Sequence, residues 1–126
     1  MRVLVVTDDP VVREQARYGF PSGVDVDLAI EARDAWEALE EDVPAAIVVD
    51  MQTGSAGGFA LSRDVLATER LAGVPVLILL QRVQDAWLAR KAGARAYRVK
   101  PLGGGELARE TLALVERATA PPKDAS

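Results

Sequence analysis

Residues 2 to 10 read RVLVVTDDP, and the fold turns on how this stretch divides. Arg2 to Thr7 is a short, valine-rich apolar run with the length and β-branched content of a strand buried on both faces. Asp8, Asp9 and Pro10 then stop it. Asp9 can cap a helix whose first position is Pro10, where the missing N–H would have had no helical partner. A strand that passes so quickly into a helix is the first half of a β-α unit, and the rest of the chain repeats it.

The runs VDVDLAI (24–30), AAIVVD (45–50), VPVLILL (74–80) and AYRVK (96–100) read as four more strands. The run at 24–30 alternates apolar and polar residues, which suits a strand nearer the sheet edge. Helical spacing fills the gaps between them. Val12, Ala16, Gly19 and Phe20 share one face of the first helix, and Trp36, Leu39 and Val43 share one face of a second capped by Asp34. A third helix opens near Gly57 and Gly58 and presents Phe59, Ser62 and Leu66. The fourth runs from about Gln84 to Ala92, where Gly93 can end it with a positive φ angle. The last buries Leu107, Thr111, Leu114, Val115 and Ala118. Residues 1–119 therefore read as one α/β domain, a doubly wound five-stranded parallel sheet with helices on both faces. APPKDAS (120–126) reads as a disordered tail or the start of a linker.

Composition narrows the chemistry. The 126 residues are 49% hydrophobic and include neither cysteine nor histidine. That excludes zinc sites of the usual kind, thiol chemistry and Ser-His-Asp catalysis, and any phosphohistidine must come from a partner. No apolar run approaches a membrane span and the amino terminus is no signal peptide, so a cytoplasmic soluble protein with no membrane partner is expected. The net charge of −4 is uneven: residues 82–117 hold 8 basic against 4 acidic side chains, while residues 1–81 hold 14 acids against 6 bases. The basic third is either ordinary solvated helix surface or a partner-facing surface. The acidic total and the lack of a recognition motif argue against direct nucleic-acid binding.

In doubly wound sheets the functional crevice lies at the carboxyl ends of the strands. Here the first strand leads into Asp8 and Asp9, the third ends in Asp50, and the fifth in Lys100 followed by Pro101. Taken singly, these are a helix cap, a strand-end acid and a surface lysine. If the first and third strands are neighbours, three carboxylates converge beside one ammonium. Such a group needs compensating positive charge, and a hard divalent cation such as Mg²⁺ suits oxygen-only ligands.

This combination resembles the receiver domains of two-component response regulators over about residues 1–119. The motifs that carry the resemblance are VVTDDP (5–10), VVD ending at Asp50, Gly57-Gly58 and KAGARAYRVKP (91–101). The resemblance implies the flavodoxin-like strand order 2-1-3-4-5 and a signalling module rather than a turnover enzyme. It makes Asp50 the phosphoacceptor, served by a sensor histidine kinase or phosphotransfer protein. It further implies that Asp8 and Asp9 hold Mg²⁺ together with Asp50 and the backbone carbonyl of Gln52, and that Lys100 pairs with the phosphoryl oxygens.

The chain departs from the family pattern at the end of the fourth strand. Leu80 stands where the family has threonine or serine, and Gln81 where a small residue is usual. Gly54 stands where a proline is common. The lost hydroxyl puts in question the coupling of phosphorylation to Tyr97, the matching aromatic residue of the fifth strand. Gln52 and Gln81 are placed to influence the hydrolytic water and hence the phosphoryl lifetime. Trp87, Arg90, Lys91, Tyr97 and Arg98 fall on the surface of the fourth helix, fifth strand and fifth helix, where receivers meet partners or form homodimers. Two alternatives remain open: a receiver-like interaction module that does not use phosphorylation, and a flavodoxin-like nucleotide or flavin carrier, whose phosphate the acidic TDDP loop would repel.

Overall fold

Five parallel strands pair in the order β2-β1-β3-β4-β5 in a computed structural model that describes residues 1–51, 57–103 and 105–119. They are β1 (Arg2–Val6), β2 (Asp25–Ala29), β3 (Ala46–Asp50), β4 (Val76–Leu80) and β5 (Ala96–Val99). The helices are α1 (Pro10–Gly19), α2 (Ala32–Glu41), α3 (Gly57–Ala67), α4 (Ala86–Lys91) and α5 (Glu106–Thr119). Fold class and strand order are as expected, and each strand lies within its run. β1, β3 and β4, apolar but for Arg2 and Asp50 at their ends, occupy the middle of the sheet, while β2 and β5 form its edges. An interior strand is covered by helices on both faces, and this is why those three runs show no alternation.

The sheet divides the core into two apolar clusters. Leu4, Val6, Ile47, Val49, Ile78 and Leu80 face one way, toward Ala35, Leu39, Leu61, Val65 and Ala89 of α2, α3 and α4. Val3, Val5, Val48, Leu77 and Leu79 face the other, toward Val12 and Ala16 of α1 and Leu107 and Leu114 of α5. Strand parity assigns each side chain to its face, and this bears directly on the site.

Helix boundaries correct the expectations in places. Asp9 caps α1 by accepting the Val11 N–H at 2.9 Å, with Pro10 at the first position. Asp34 is not the cap of α2: the helix starts earlier, after Glu31, and Asp34 lies in its first turn. Val43 falls beyond α2 and is exposed, so Ala35 and Leu39 are the buried pair. On α3 the buried stripe is Leu61, Ser62 and Val65, with Leu66 exposed. α4 is shorter than expected because a 3₁₀ turn, Val83–Asp85, precedes it. Gly93 ends the helix region with φ of 85°. On α5, Ala118 is exposed whereas Leu107, Thr111, Leu114 and Val115 are buried. Gln52, Gly54 and residues 120–126 lie outside the described residues.

Gly58 locks the start of α3 onto the end of β3. A Cβ there would meet Val49 Cγ1 at 2.4 Å and the Asp50 carbonyl oxygen at 2.6 Å, so only glycine permits this approach.

Candidate functional site

The carboxyl ends of β1, β3 and β5 meet at Asp50. Its side chain is fully buried at 0% exposure, as the last residue of an otherwise apolar strand. The Lys100 ammonium reaches Asp50 Oδ2 at 2.8 Å and Asp9 Oδ2 at 3.1 Å, bridging the two carboxylates. Lys100 is itself largely buried, with 11% of its side chain exposed. A buried carboxylate is costly without a partner, and this ammonium is one.

These contacts shift the protonation equilibria of Lys100 and Asp9. For Lys100, burial is the largest single influence and opposes the charge, but hydrogen bonds to Asp50 and Asp9 and the charges of both outweigh it, so its pKa is raised. For Asp9, burial again acts first and would raise the pKa. The bond and charge of Lys100, with the N–H groups of Val11 and Val12 at the start of α1, overcome it and hold Asp9 below the usual carboxylate range.

The expected convergence of three carboxylates is corrected. Asp8 is exposed and makes no hydrogen bond or ion pair to another described residue. Among the described residues, no three acidic side chains lie close enough to hold a metal ion. The position that faces Asp50 from β1 belongs to Thr7. Its backbone N–H makes the last ladder bond to β2, to Ala29 O at 2.8 Å, so the chain leaves the sheet one residue before Asp8. Val6 pairs with Val49 across β1 and β3, which sets Thr7 beside Asp50. The Thr7 hydroxyl donates to Asp50 Oδ2 at 2.9 Å in a fully buried contact. The signal for Thr7 lies in the sequence as parity, because it shares the strand face of Val3 and Val5, whereas the adjacent acids carry the stronger chemical signal.

The remaining expected residues separate into two groups. Gln81 is exposed at the rim of a cleft of about 400 Å³ that Asp9, Val12, Gln15, Lys100 and Leu102 also line. Leu80 is fully buried on the opposite face of the sheet, in the cluster against which Tyr97 packs. On the outer side, Trp87 is 51% exposed and Lys91 Nζ lies 5.7 Å from its ring centroid. Arg90 and Lys91 are exposed, whereas Arg98 is held by Glu110 and by the Tyr97 carbonyl.

Comparison with known proteins agrees with this geometry. The model of the response regulator receiver domain matches residues 3–111. The chain is 34% identical over 122 residues to the response regulator MprA of Mycolicibacterium vanbaalenii, covering 94% of this chain and 52% of that protein. It thus spans about half the length of the curated relatives it matches. Among solved structures it superposes, with a TM-score of 0.84 and 24% identity, on a Chloroflexus aurantiacus chain assigned as a response regulator, covering 92% of this chain and 98% of that one. It also matches the receiver domain of a Pseudomonas aeruginosa sensor histidine kinase with magnesium in its active-site cleft, at a TM-score of 0.77 and 25% identity, covering 91% and 97%. The chain belongs to the response regulator receiver family of two-component systems. Members of this family are signalling modules, and among the described residues no helix is long and apolar enough to cross a membrane.

Proposed function

We propose that this receiver accepts a phosphoryl group on Asp50 from the phosphohistidine of a partner kinase or phosphotransfer protein. The observation that carries the reading is the buried Asp50 carboxylate at the end of β3, held by Lys100 at 2.8 Å. An Asp50 oxygen attacks phosphorus as the bond from phosphorus to the partner's imidazole nitrogen breaks, leaving an aspartyl phosphate and a histidine that regains its proton from solvent. Lys100 is within reach of an oxygen added at that carboxylate and opposes the charge spread over the transferring group.

Of the acids expected to hold a divalent cation, Asp9 and Asp50 meet at Lys100, while Asp8 is exposed. This hard, oxygen-only set fits Mg²⁺, which keeps several waters and needs only one or two carboxylates. Bound there, Mg²⁺ would supply further charge neutralisation. The Gln52 carbonyl, expected to add a ligand, lies outside the described residues.

Switching is altered in this reading. Leu80 has no hydroxyl to follow the phosphoryl group, and it fills the apolar cluster to which Tyr97 belongs. That packing also favours the second reading, an interaction module independent of phosphorylation. In either case the face of Trp87, Arg90, Lys91 and Arg98 serves a protein partner or a second copy of the chain, since exposed tryptophan and arginine are favoured interface anchors.

The test is intact mass and two-dimensional amide NMR with Mg²⁺ and a small phosphodonor, against Asp50→Asn. A gain of one phosphoryl group that the variant loses supports the acceptor role. Shifts confined to the pocket place the break at Leu80. No gain, together with no response to beryllofluoride, favours the phosphorylation-independent module.

A further inference from the structure

Among the described residues, Asp50 Oδ2 accepts hydrogen bonds from Lys100 Nζ at 2.8 Å and Thr7 Oγ1 at 2.9 Å. The second is the more directional. A threonine hydroxyl has one proton and two lone pairs, so the acceptor role it plays elsewhere restricts where that proton can point. Thr7 Oγ1 accepts the backbone N–H of Asp9 at 3.1 Å. Its proton is thereby left for Asp50, and Thr7 is only 1% exposed, so water does not compete for it. Lysine, by contrast, offers three rotatable donors on a flexible stem and already divides them between Asp50 and Asp9.

We propose that Thr7 is a positioning residue for the nucleophile: its hydroxyl holds the Asp50 carboxylate in a single orientation and ties that orientation to the backbone at the start of α1. With one oxygen anchored by a fixed donor on β1 and a charged donor on β5, rotation of the Asp50 side chain is restricted and its other oxygen is presented in a constant direction. Phosphoryl transfer depends strongly on such alignment, because attack must run roughly in line with the leaving group. Thr7 contributes no charge at the position on β1 nearest Asp50, so its role is orientation rather than cation binding. The same contact carries a neutral hydroxyl donor into the pocket from β1, while the end of β4, at Leu80, provides none.

This inference rests on the phosphoacceptor reading for its consequence but not for its test. Thr7→Val keeps the shape and removes the hydroxyl, and Thr7→Ser keeps the hydroxyl and removes the methyl. The first readout is the Asp50 Cα–Cβ rotamer, from three-bond couplings of its β-protons in labelled protein without phosphodonor. One rotamer is expected in wild type and Thr7→Ser, and averaged couplings in Thr7→Val. The second is the rate at which phosphoramidate with Mg²⁺ adds mass to the domain, expected to fall about tenfold or more in Thr7→Val and to stay within about threefold of wild type in Thr7→Ser.

A single Asp50 rotamer in Thr7→Val overturns the proposal, as does a serine variant that behaves like valine, because then packing rather than the hydroxyl matters. If Thr7→Val does not fold, Thr7→Ala replaces it with the same expected outcomes. Should wild type take up no phosphoryl group, the acceptor reading falls, while the couplings still decide what Thr7 does.

Discussion

On one face of the sheet's carboxyl end, Thr7 and Lys100 converge on a single oxygen of Asp50; on the other, Leu80 and Tyr97 share an apolar cluster closed by Ala86 of α4. The two regions are built from adjacent strand ends, and Tyr97 and Lys100 lie three residues apart on the same stretch. Yet parity sends Lys100 to the face of α1 and α5 and Tyr97 to the face of α4. The polar half is directional, with one ammonium between two carboxylates, whereas the apolar half is filled. The comparison teaches that holding a carboxylate and packing an apolar cluster are separate requirements, met by different side chains on opposite faces, so that one can change while the other is kept.

Removing Lys100 should break the polar half most severely. Lys100→Met leaves the buried Asp50 and the partly buried Asp9 without their ammonium, and breaking a buried ion pair from one side costs about 3 kcal/mol or more. An unfolding free energy from urea titration that falls by less than a third of that would show that the pair is solvated rather than buried. The apolar half responds to Leu80→Thr, which restores a hydroxyl at the end of β4 but places it in a cluster with 0% exposure. A stability loss of about 2 kcal/mol is expected from the lost methyl groups and the buried hydroxyl. In return, beryllofluoride should produce amide shifts that reach Tyr97 in Leu80→Thr and stay near the pocket in wild type. Equal shifts in both would mean that Leu80 does not block the relay.

Gly58 packs against the end of β3. Gly58→Ala forces a Cβ against Val49 Cγ1 and the Asp50 carbonyl, and overpacking of this kind costs about 1–3 kcal/mol. Because the obstacle includes the Asp50 backbone, calorimetry should show a lowered melting temperature and NMR should show shifts at Asp50.

A gentler probe is pH. Asp9 has its pKa lowered from 3.8, so its stabilising contribution is present above that unfolded value and is lost as pH falls through the lower folded value. Lys100 has its pKa raised from 10.5, so its contribution is complete below the unfolded value and disappears as pH rises through the folded one. The site's contribution should therefore be level through neutral pH and decline at both extremes. Lys100→Met should weaken the alkaline decline in a series of urea titrations.

The smallest effect is expected on the outer surface. Trp87 is 51% exposed, so Trp87→Ala should change stability by no more than about 0.5 kcal/mol. If that face joins two copies of the chain, sedimentation should nevertheless show weaker self-association. A monomeric wild type at high concentration would leave the face to another protein.

The sheet was legible because its signal is local. Five short apolar runs separated by helix caps and glycines determine strands, helices and a parallel winding, since no other arrangement buries continuous apolar strands on both faces. Asp9 as a cap, Gly93 as a helix end, and Asp50 and Lys100 at strand ends were likewise readable from their immediate neighbours. Helix starts were less secure where no side chain caps the first turn, as at Glu31, and the 3₁₀ turn before α4 left no mark in residue spacing.

What only the tertiary structure decided is which residue of TDDP faces Asp50. Sequence placed the acids near the acceptor, but orientation depends on the residue at which β1 leaves its ladder and on the register of β1 against β3. A shift of one residue exchanges inward for outward along a strand. The last ladder bond forms at Thr7, so Thr7 turns inward, Asp8 faces solvent, and Asp9 returns to the pocket through the first turn of α1. Composition and periodicity fix what a strand is; only pairing with its neighbours fixes where its end points.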